Sequence, residues 1–432
     1  MPTSSRLRRL ALGAAAFAGS GLLAACNSAS ASSSKSSARS VTHISLWESH
    51  SGGPVAAAVT SLVNRFNATH PKVQVSIDVT KASTKALGAI AAGSPPLLAE
   101  ISHYDGKFLQ AHALVNLNSF INGPSGFTSA QKSAFFHSIW TNGEVGGKHY
   151  RLQVDAKVTE YFYNQSLFAR AGIASPPSTW AQMSSDLTKL AALGVTPLGV
   201  KDASAHIEPM FVSNGGQLIS ANGTTTKFNS SAGKKTFSYM RSLFQRHLAI
   251  FGHGSALRAD LASGKVAIID GTSAGYQKVL DSAGGHFAVG AFGVPSGSSG
   301  HSANMVQGLG FVIMKGHPLA QQQAAWSFIK WYLSPVQQAF WAMHTGFAPV
   351  TRSALQYMPS SWMASHPGMQ ASIAALESPY TFHRVNNQNY SEVESALDAA
   401  YFNALTTTQP ITPLLAQLDT KAHQYLSGKA AL

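Results

Sequence analysis

Apolar residues recur along this chain with two periods in turn, and that rhythm predicts strands alternating with helices. In the run 73–79, Val73, Val75, Ile77 and Val79 share one face, as in a strand with one buried side. Residues 42–47 alternate in the same way. Between them Val55, Val59, Leu62, Val63 and Phe66 recur at helical spacing; Pro54 suits the first turn and Pro71 ends the segment. A helix over 81–92 closes at Gly93, and a strand follows over 97–101. Further strands are predicted at 159–163, 195–200, 266–270, 288–294 and 309–314. Helices are predicted near 209–214 and over 232–246, 256–263, 276–282, 320–333 and 335–344, with a largely helical remainder. Strands separated by such helices argue for an α/β fold built on largely parallel sheets.

The punctuation is fullest between Gln153 and Met183. The strand at 159–163 is β-branched and aromatic, Asn164 can cap the helix after it, and Gly172 can close that helix. Pro176-Pro177 stiffens the turn, and Thr179 with Gln182 forms a capping box ahead of Met183, Leu187 and Leu190.

A length of 432 residues suggests two or three domains, and 45% hydrophobic residues suffice for sizeable cores. Lys and Arg number 31 against 18 Asp and Glu, but the basic residues stand singly or in pairs and form no stripe. That distribution argues against nucleic acid and for a weakly charged exported surface. At the N-terminus Arg6, Arg8 and Arg9 precede an apolar stretch, 10–23, too short to span a bilayer. Leu23-Ala24-Ala25-Cys26 resembles a bacterial lipobox, and Cys26 is the only cysteine, so a lipid is its simplest use. The expectation is a signal peptide at 1–25, a disordered Ser/Ala tether at 26–40, and a protein exported and anchored to the outer face of the cell membrane by lipidated Cys26 alone.

A resemblance emerges from particular motifs. Tyr161-Phe162-Tyr163-Asn164, Phe168, Ala171-Gly172-Ile173, Pro176-Pro177 and Thr179-Trp180 resemble the signature of extracellular solute-binding proteins of ABC importers. Gly264-Lys265-Val266-Ala267-Ile268, Gly308-Leu309-Gly310-Phe311, Trp331-Tyr332-Leu333-Ser334-Pro335 and Gly346-Phe347-Ala348-Pro349-Val350 resemble its later landmarks. The resemblance implies a two-lobe fold of the maltose-binding-protein type, with crossing segments as a hinge near Gln153, Pro295 and Phe347 and a cleft between the lobes. Lobe 1 would comprise 41–152 plus 296–346, and lobe 2 would comprise 153–295 plus 347–432. It also implies a monomer without cofactor or enzymatic activity, working with ABC permease transmembrane subunits and a separate ATPase.

Ligands in open α/β sheets bind beyond the carboxyl ends of strands. That rule selects Trp47, Glu48 and His50 after the first strand and Ser102, His103, Tyr104 and Asp105 after the third. Asp155 and Lys157 lie on the crossing, His206, Glu208 and Phe211 after Val200, Ser273 and Tyr276 after Asp270, Gln307 and Gly308 before a late strand, and Phe347 and Arg384 in the tail. Carboxylates, amides and aromatic rings together suit a carbohydrate or polyol. Each residue also has a plainer use: Trp47 suits core packing, Glu48 or Ser273 a helix cap, and Arg384 a solvated or structural role. The segments Trp47-Glu48-Ser49-His50 and His344-Thr345-Gly346-Phe347-Ala348-Pro349 look most like glycerol-3-phosphate and glycerophosphodiester binders, and Ser273 and Gly308 match ligand positions there. Against that, the subfamily's ligand Glu falls near Ser102 or His103, its Ser near Ala156 or Lys157, its turn Tyr is Phe347, and its phosphate Arg aligns loosely with Arg384 or Glu392. A sugar or oligosaccharide is therefore the first expectation and a glycerol-phosphate ligand the second.

A rival of another class is an exported serine hydrolase. Gly271-Thr272-Ser273-Ala274-Gly275 reads G-x-S-x-G between a strand and a helix, with Asp398 and His423 in the expected order. For metal, the 17 His form no i, i+4 pair on a helix, so no metal site is expected.

Overall fold

Two five-stranded sheets carry the fold. In a computed structural model that describes residues 41–102, 105–201, 203–220 and 223–428, the strands are β1 (Thr42–Glu48), β2 (Val73–Val79), β3 (Leu98–Ile101), β4 (Glu144–Val145), β5 (Lys148–His149), β6 (Leu152–Gln153), β7 (Thr159–Asn164), β8 (Thr196–Val200), β9 (Ala249–Phe251), β10 (Val266–Thr272), β11 (Val289–Phe292) and β12 (Gly310–Ile313). The signal segment, Cys26, the tether, His103 and Tyr104 lie outside the described residues; of Asp105 only the backbone, at the start of the helix Asp105–Gln110, lies within them.

The first sheet has the order β2-β1-β3-β12-β6 and the second β11-β7-β10-β8-β9. Both follow one plan. Three strands run parallel (β2, β1, β3 and β9, β8, β10), a fourth is reversed (β12 and β7), and the fifth is antiparallel to the fourth. The sheets are thus mixed rather than largely parallel. The reversed strands are the two fed directly by crossing segments, 304–309 and 154–158, instead of by a helical crossover from a neighbouring strand.

Each sheet has its own core. The helix Gly53–Thr69 buries Ala58, Val59, Leu62, Val63 and Phe66, and with Leu319–Tyr332 and Pro335–Thr345 it covers the first sheet. On the second sheet, the helix Trp180–Ala191 buries Met183, Leu187 and Leu190, joined by Ser231–Gln245, Tyr390–Thr406 and Ile411–Leu426. The capping box forms as the sequence indicates, with the Thr179 hydroxyl accepting from Gln182 N and the Gln182 side chain accepting from Thr179 N. β2 differs from expectation: only Val75 of its four aligned apolar residues is fully buried, because the strand lies at the sheet edge.

Three crossing segments are knitted together between the sheets. Lys157 and Gln307 exchange backbone hydrogen bonds of 2.9 Å in both directions, and Ala156 and Ala348 do the same at 3.2 and 2.7 Å. Asn304 seals the seam: its Oδ1 accepts from Thr159 N and its Nδ2 donates to Thr159 O. The second crossing therefore lies at 304–309 and not near Pro295. Residues 295–298 stay with the second sheet, where Trp180 Nε1 donates to Pro295 O, Ser296 N to Ser178 O, and Ser298 N to Asn214 Oδ1. The tail is also shared. Ala354, Met358, Met369 and Leu376 join the first core, while Tyr390 and Val393 join the second.

Candidate functional site

β1 ends in Glu48, and the next strand in the sheet, β3, carries Glu100. Leu46 pairs with Leu98 and Trp47 with Ala99, so the register brings the two carboxylates side by side. Both residues are about 1% exposed. His50, two residues beyond Glu48, projects to the same place: its backbone N–H donates to Glu48 Oε2 at 2.8 Å, its Nδ1 contacts Glu48 Oε1, and Nδ1 lies 3.5 Å from Glu100 Oε2. Burial opposes a charge on His50, yet its hydrogen bonds to Glu100 and Glu48 raise it to about 10. Burial pushes the Glu100 carboxyl up.

The crossing segments border this cluster. Asp155 is fully buried; Leu309 N donates to its Oδ1 at 2.8 Å, while Oδ2 has no hydrogen-bond partner among the described residues. Burial, and then the nearby Glu100 charge, raise Asp155 to about 7. Gln153 Nε2 donates to the carbonyls of Asp155 and Gln307, and the Gln307 side-chain nitrogen is itself buried without a partner among the described residues.

On the second sheet the carboxyl ends of β8 and β10 meet. Lys201 N donates to both Asp270 oxygens at 3.0 and 3.2 Å, and His206 Nδ1 lies 3.2 Å from Asp270 Oδ2. Burial, with the charges of Lys201 and Arg384, lowers His206 to about 3. Ser273 closes the end of β10 onto the crossing: its N–H donates to Val158 O at 3.0 Å, and its hydroxyl oxygen accepts from Val158 N at 3.2 Å.

A family model for bacterial extracellular solute-binding proteins matches residues 61–371. The chain belongs to that family. It is 21% identical over 418 residues to the sn-glycerol-3-phosphate-binding periplasmic protein UgpB of Yersinia enterocolitica, covering 90% of this chain and 94% of that one. In three dimensions it is similar to the cyclic alpha-maltosyl-1,6-maltose binding protein of Arthrobacter globiformis (TM-score 0.79, 19% identity, 90% of this chain and 100% of that one). It is also similar to UgpB of Mycobacterium tuberculosis in complex with glycerophosphocholine (TM-score 0.74, 18% identity, 89% and 98% covered). The fold is thus the two-lobe, maltose-binding-protein type that the sequence motifs imply.

In this solute-binding protein, the candidate residues Glu48, His50, Asp155, Lys157, Gln307 and Gly308 come together at the first sheet and the crossings, and Ser273 reaches them through Val158. Trp47 is half-buried against a small cluster that includes Ala86, Ile101 and Phe108. Phe347 is partly buried beside Trp341, ring centroids 6.1 Å apart. Others lie inside the second half. Phe211 is a core residue against Phe228. Tyr276 is buried and donates its hydroxyl to Val289 O at 3.1 Å. Arg384 donates to Glu208 Oε2 at 2.8 and 3.1 Å and contacts Glu394, and Tyr390 donates to Glu208 Oε1 at 3.3 Å. Arg384, the sequence's candidate for a phosphate, is therefore already held by two carboxylates.

Glu100, Lys201 and Asp270 were not among the sequence candidates. Glu100 had a readable signal, since it is the one acid in the apolar run Leu97-Leu98-Ala99-Glu100-Ile101. The G-x-S-x-G reading gains no assembled triad: the Ser273 hydroxyl faces the backbone of Val158, while His423 is exposed on the helix Ile411–Leu426 with Nδ1 3.0 Å from Thr224 O.

Proposed function

We propose that this protein is the solute receptor of an ABC importer, capturing a sugar or oligosaccharide between its lobes and passing it unchanged to the permease. The observation that carries the ligand class is the group of Glu100, Asp155 and Gln307, whose Oε2, Oδ2 and Nε2 atoms are buried without a full set of partners among the described residues. Buried carboxylate and amide groups without full hydrogen-bond complements suit hydroxyl donors and acceptors, which return to them the bonds that water would make. The first lobe centres on the β1 sheet and the second on the β10 sheet, with the hinge at 154–159, 304–309 and 347–350. Solute bound against both stabilises the closed form, because only that form contacts it from two sides.

A glycerol-phosphate ligand is the second reading. Its support is the relatives' names, together with Lys157 and Lys201, which stand near enough for their charges to interact. Titration calorimetry separates the two. Heat from maltose or a longer malto-oligosaccharide, with none from sn-glycerol-3-phosphate or glycerophosphocholine, supports the sugar reading, and the reverse result overturns it.

The anchor belongs to the same proposal. Lipidated Cys26 holds the body at the outer face of the cell membrane, and among the described residues no helix is long and apolar enough to cross a membrane. Fatty-acid labelling of the full chain, lost in Cys26→Ala, is the expected result; labelling that survives the substitution contradicts it.

A further inference from the structure

We infer that Glu48, His50 and Glu100 form a binding site for a divalent transition cation of the zinc or manganese class, with Asp155 beside it.

The geometry comes first. One donor atom from each of the three residues lies within 4.8 Å of the other two. Imidazole and carboxylate ligands stand roughly 2.0–2.2 Å from zinc, so the donors of one ion are at most about 4.4 Å apart. Small side-chain rotations close the difference.

The electrostatics come second. Like charges directly opposite on neighbouring strands destabilise a sheet, and here the register makes neighbours of two carboxylates that are each about 1% exposed. A single imidazole shared between them cannot satisfy both. Among the described residues Glu100 Oε2 has only the long His50 Nδ1 contact at 3.5 Å, and Asp155 Oδ2, also buried, has no hydrogen-bond partner. The donors given to these acceptors are His50 and backbone N–H groups, and a divalent cation held by Glu48, His50 and Glu100 would meet both carboxylates at once.

Ligand type and access complete the case. A mixed nitrogen and oxygen donor set favours zinc or manganese over calcium or magnesium, which prefer oxygen alone. The His50 side chain is 22% exposed and gives an ion a way in. The residues also explain why helical spacing overlooks the site: Glu48 and His50 stand at i, i+2 around a strand end, and Glu100 arrives from the adjacent strand.

The test uses the full-length protein, stripped with a chelator and titrated with zinc chloride, manganese chloride and, as a control of class, magnesium chloride. The expected result is one equivalent of zinc or manganese per chain, a rise in melting temperature that grows with metal concentration, and little response to magnesium. Glu100→Gln, nearly isosteric, and His50→Ala, at the exposed edge of the cluster, should each weaken binding at least tenfold; melting of the metal-free variants verifies that they fold. No uptake of either metal overturns the inference, as does uptake that both variants retain, because the ion then sits on other histidines. A parallel sugar titration keeps this inference apart from the proposed function. Sugar binding without metal uptake defeats only the metal site, and metal uptake without any sugar binding defeats only the ligand reading.

Discussion

At Gly308 the backbone comes so close to Asp155 that an added Cβ would stand 2.3 Å from its carbonyl oxygen and 2.5 Å from Oδ1. Gly308→Ala should therefore push the crossing segments apart and cost on the order of 1–3 kcal/mol, read as a lower urea midpoint with weaker solute binding; an unchanged midpoint contradicts the close approach. Glu160 allows a pH test. It is fully buried, Oε1 accepts from Ser372 Oγ at 2.6 Å, Oε2 has no partner among the described residues, and burial raises it from the ordinary 4.5 to about 8. The folded state thus holds a proton that the unfolded state releases, so this group's favourable contribution is present at low pH and is lost as pH rises toward its folded value. Glu160→Gln keeps the Ser372 bond and abolishes the ionisation. The variant's melting temperature relative to wild type should be higher at about pH 9 than at about pH 5.5, and an equal difference at both values contradicts the assignment. Some residues were legible from local rules alone, as Thr179 and Gln182 show by capping their own helix. Glu100 shows locally only as a lone acid in an apolar run; its pairing with Glu48 is not legible there, because that depends on the strand beside it.

At the scale of elements, the sequence pattern located most strands and helices but left two things undetermined. Strand direction was one. β7 and β12 look like their neighbours in composition, and only the route by which the chain enters them reverses them. The other was the second crossing. The Ser/Gly run after Pro295 looks like a linker, yet Ser178, Ser213 and Asn214 pin it to the second half, and the true seam begins at Asn304. Asn304→Ala would leave buried backbone groups of Thr159 and Met305 unpaired and should cost about 2–4 kcal/mol, measured by equilibrium unfolding; a loss near zero would show that the seam does not depend on it. Arg384 likewise has an element-level role, tying the tail to the helix Ser204–Ser213 through Glu208. Arg384→Ala should destabilise the fold by about 3–5 kcal/mol because it strands a buried carboxylate. Lost phosphate affinity at unchanged stability would assign this arginine to a ligand instead.

Taken as a whole, the molecule repeats one sheet plan twice, with separate cores and a hydrogen-bonded seam between them. The sequence disclosed the two-lobe class because the motif around Tyr161–Trp180 is local and well spaced. It could not disclose which strand-end residues are held inside one half, since Phe211, Tyr276 and Glu208 follow strand ends just as Glu48 does and yet are drawn into the second half by packing and ion pairing. Capture between lobes predicts a change of shape on binding. Small-angle scattering of the protein, recorded alone and with saturating mono- and oligosaccharides, tests this most directly. The account predicts a smaller radius of gyration with at least one sugar that is recovered chemically intact; no compaction with any of them, or a sugar recovered cleaved, would contradict it.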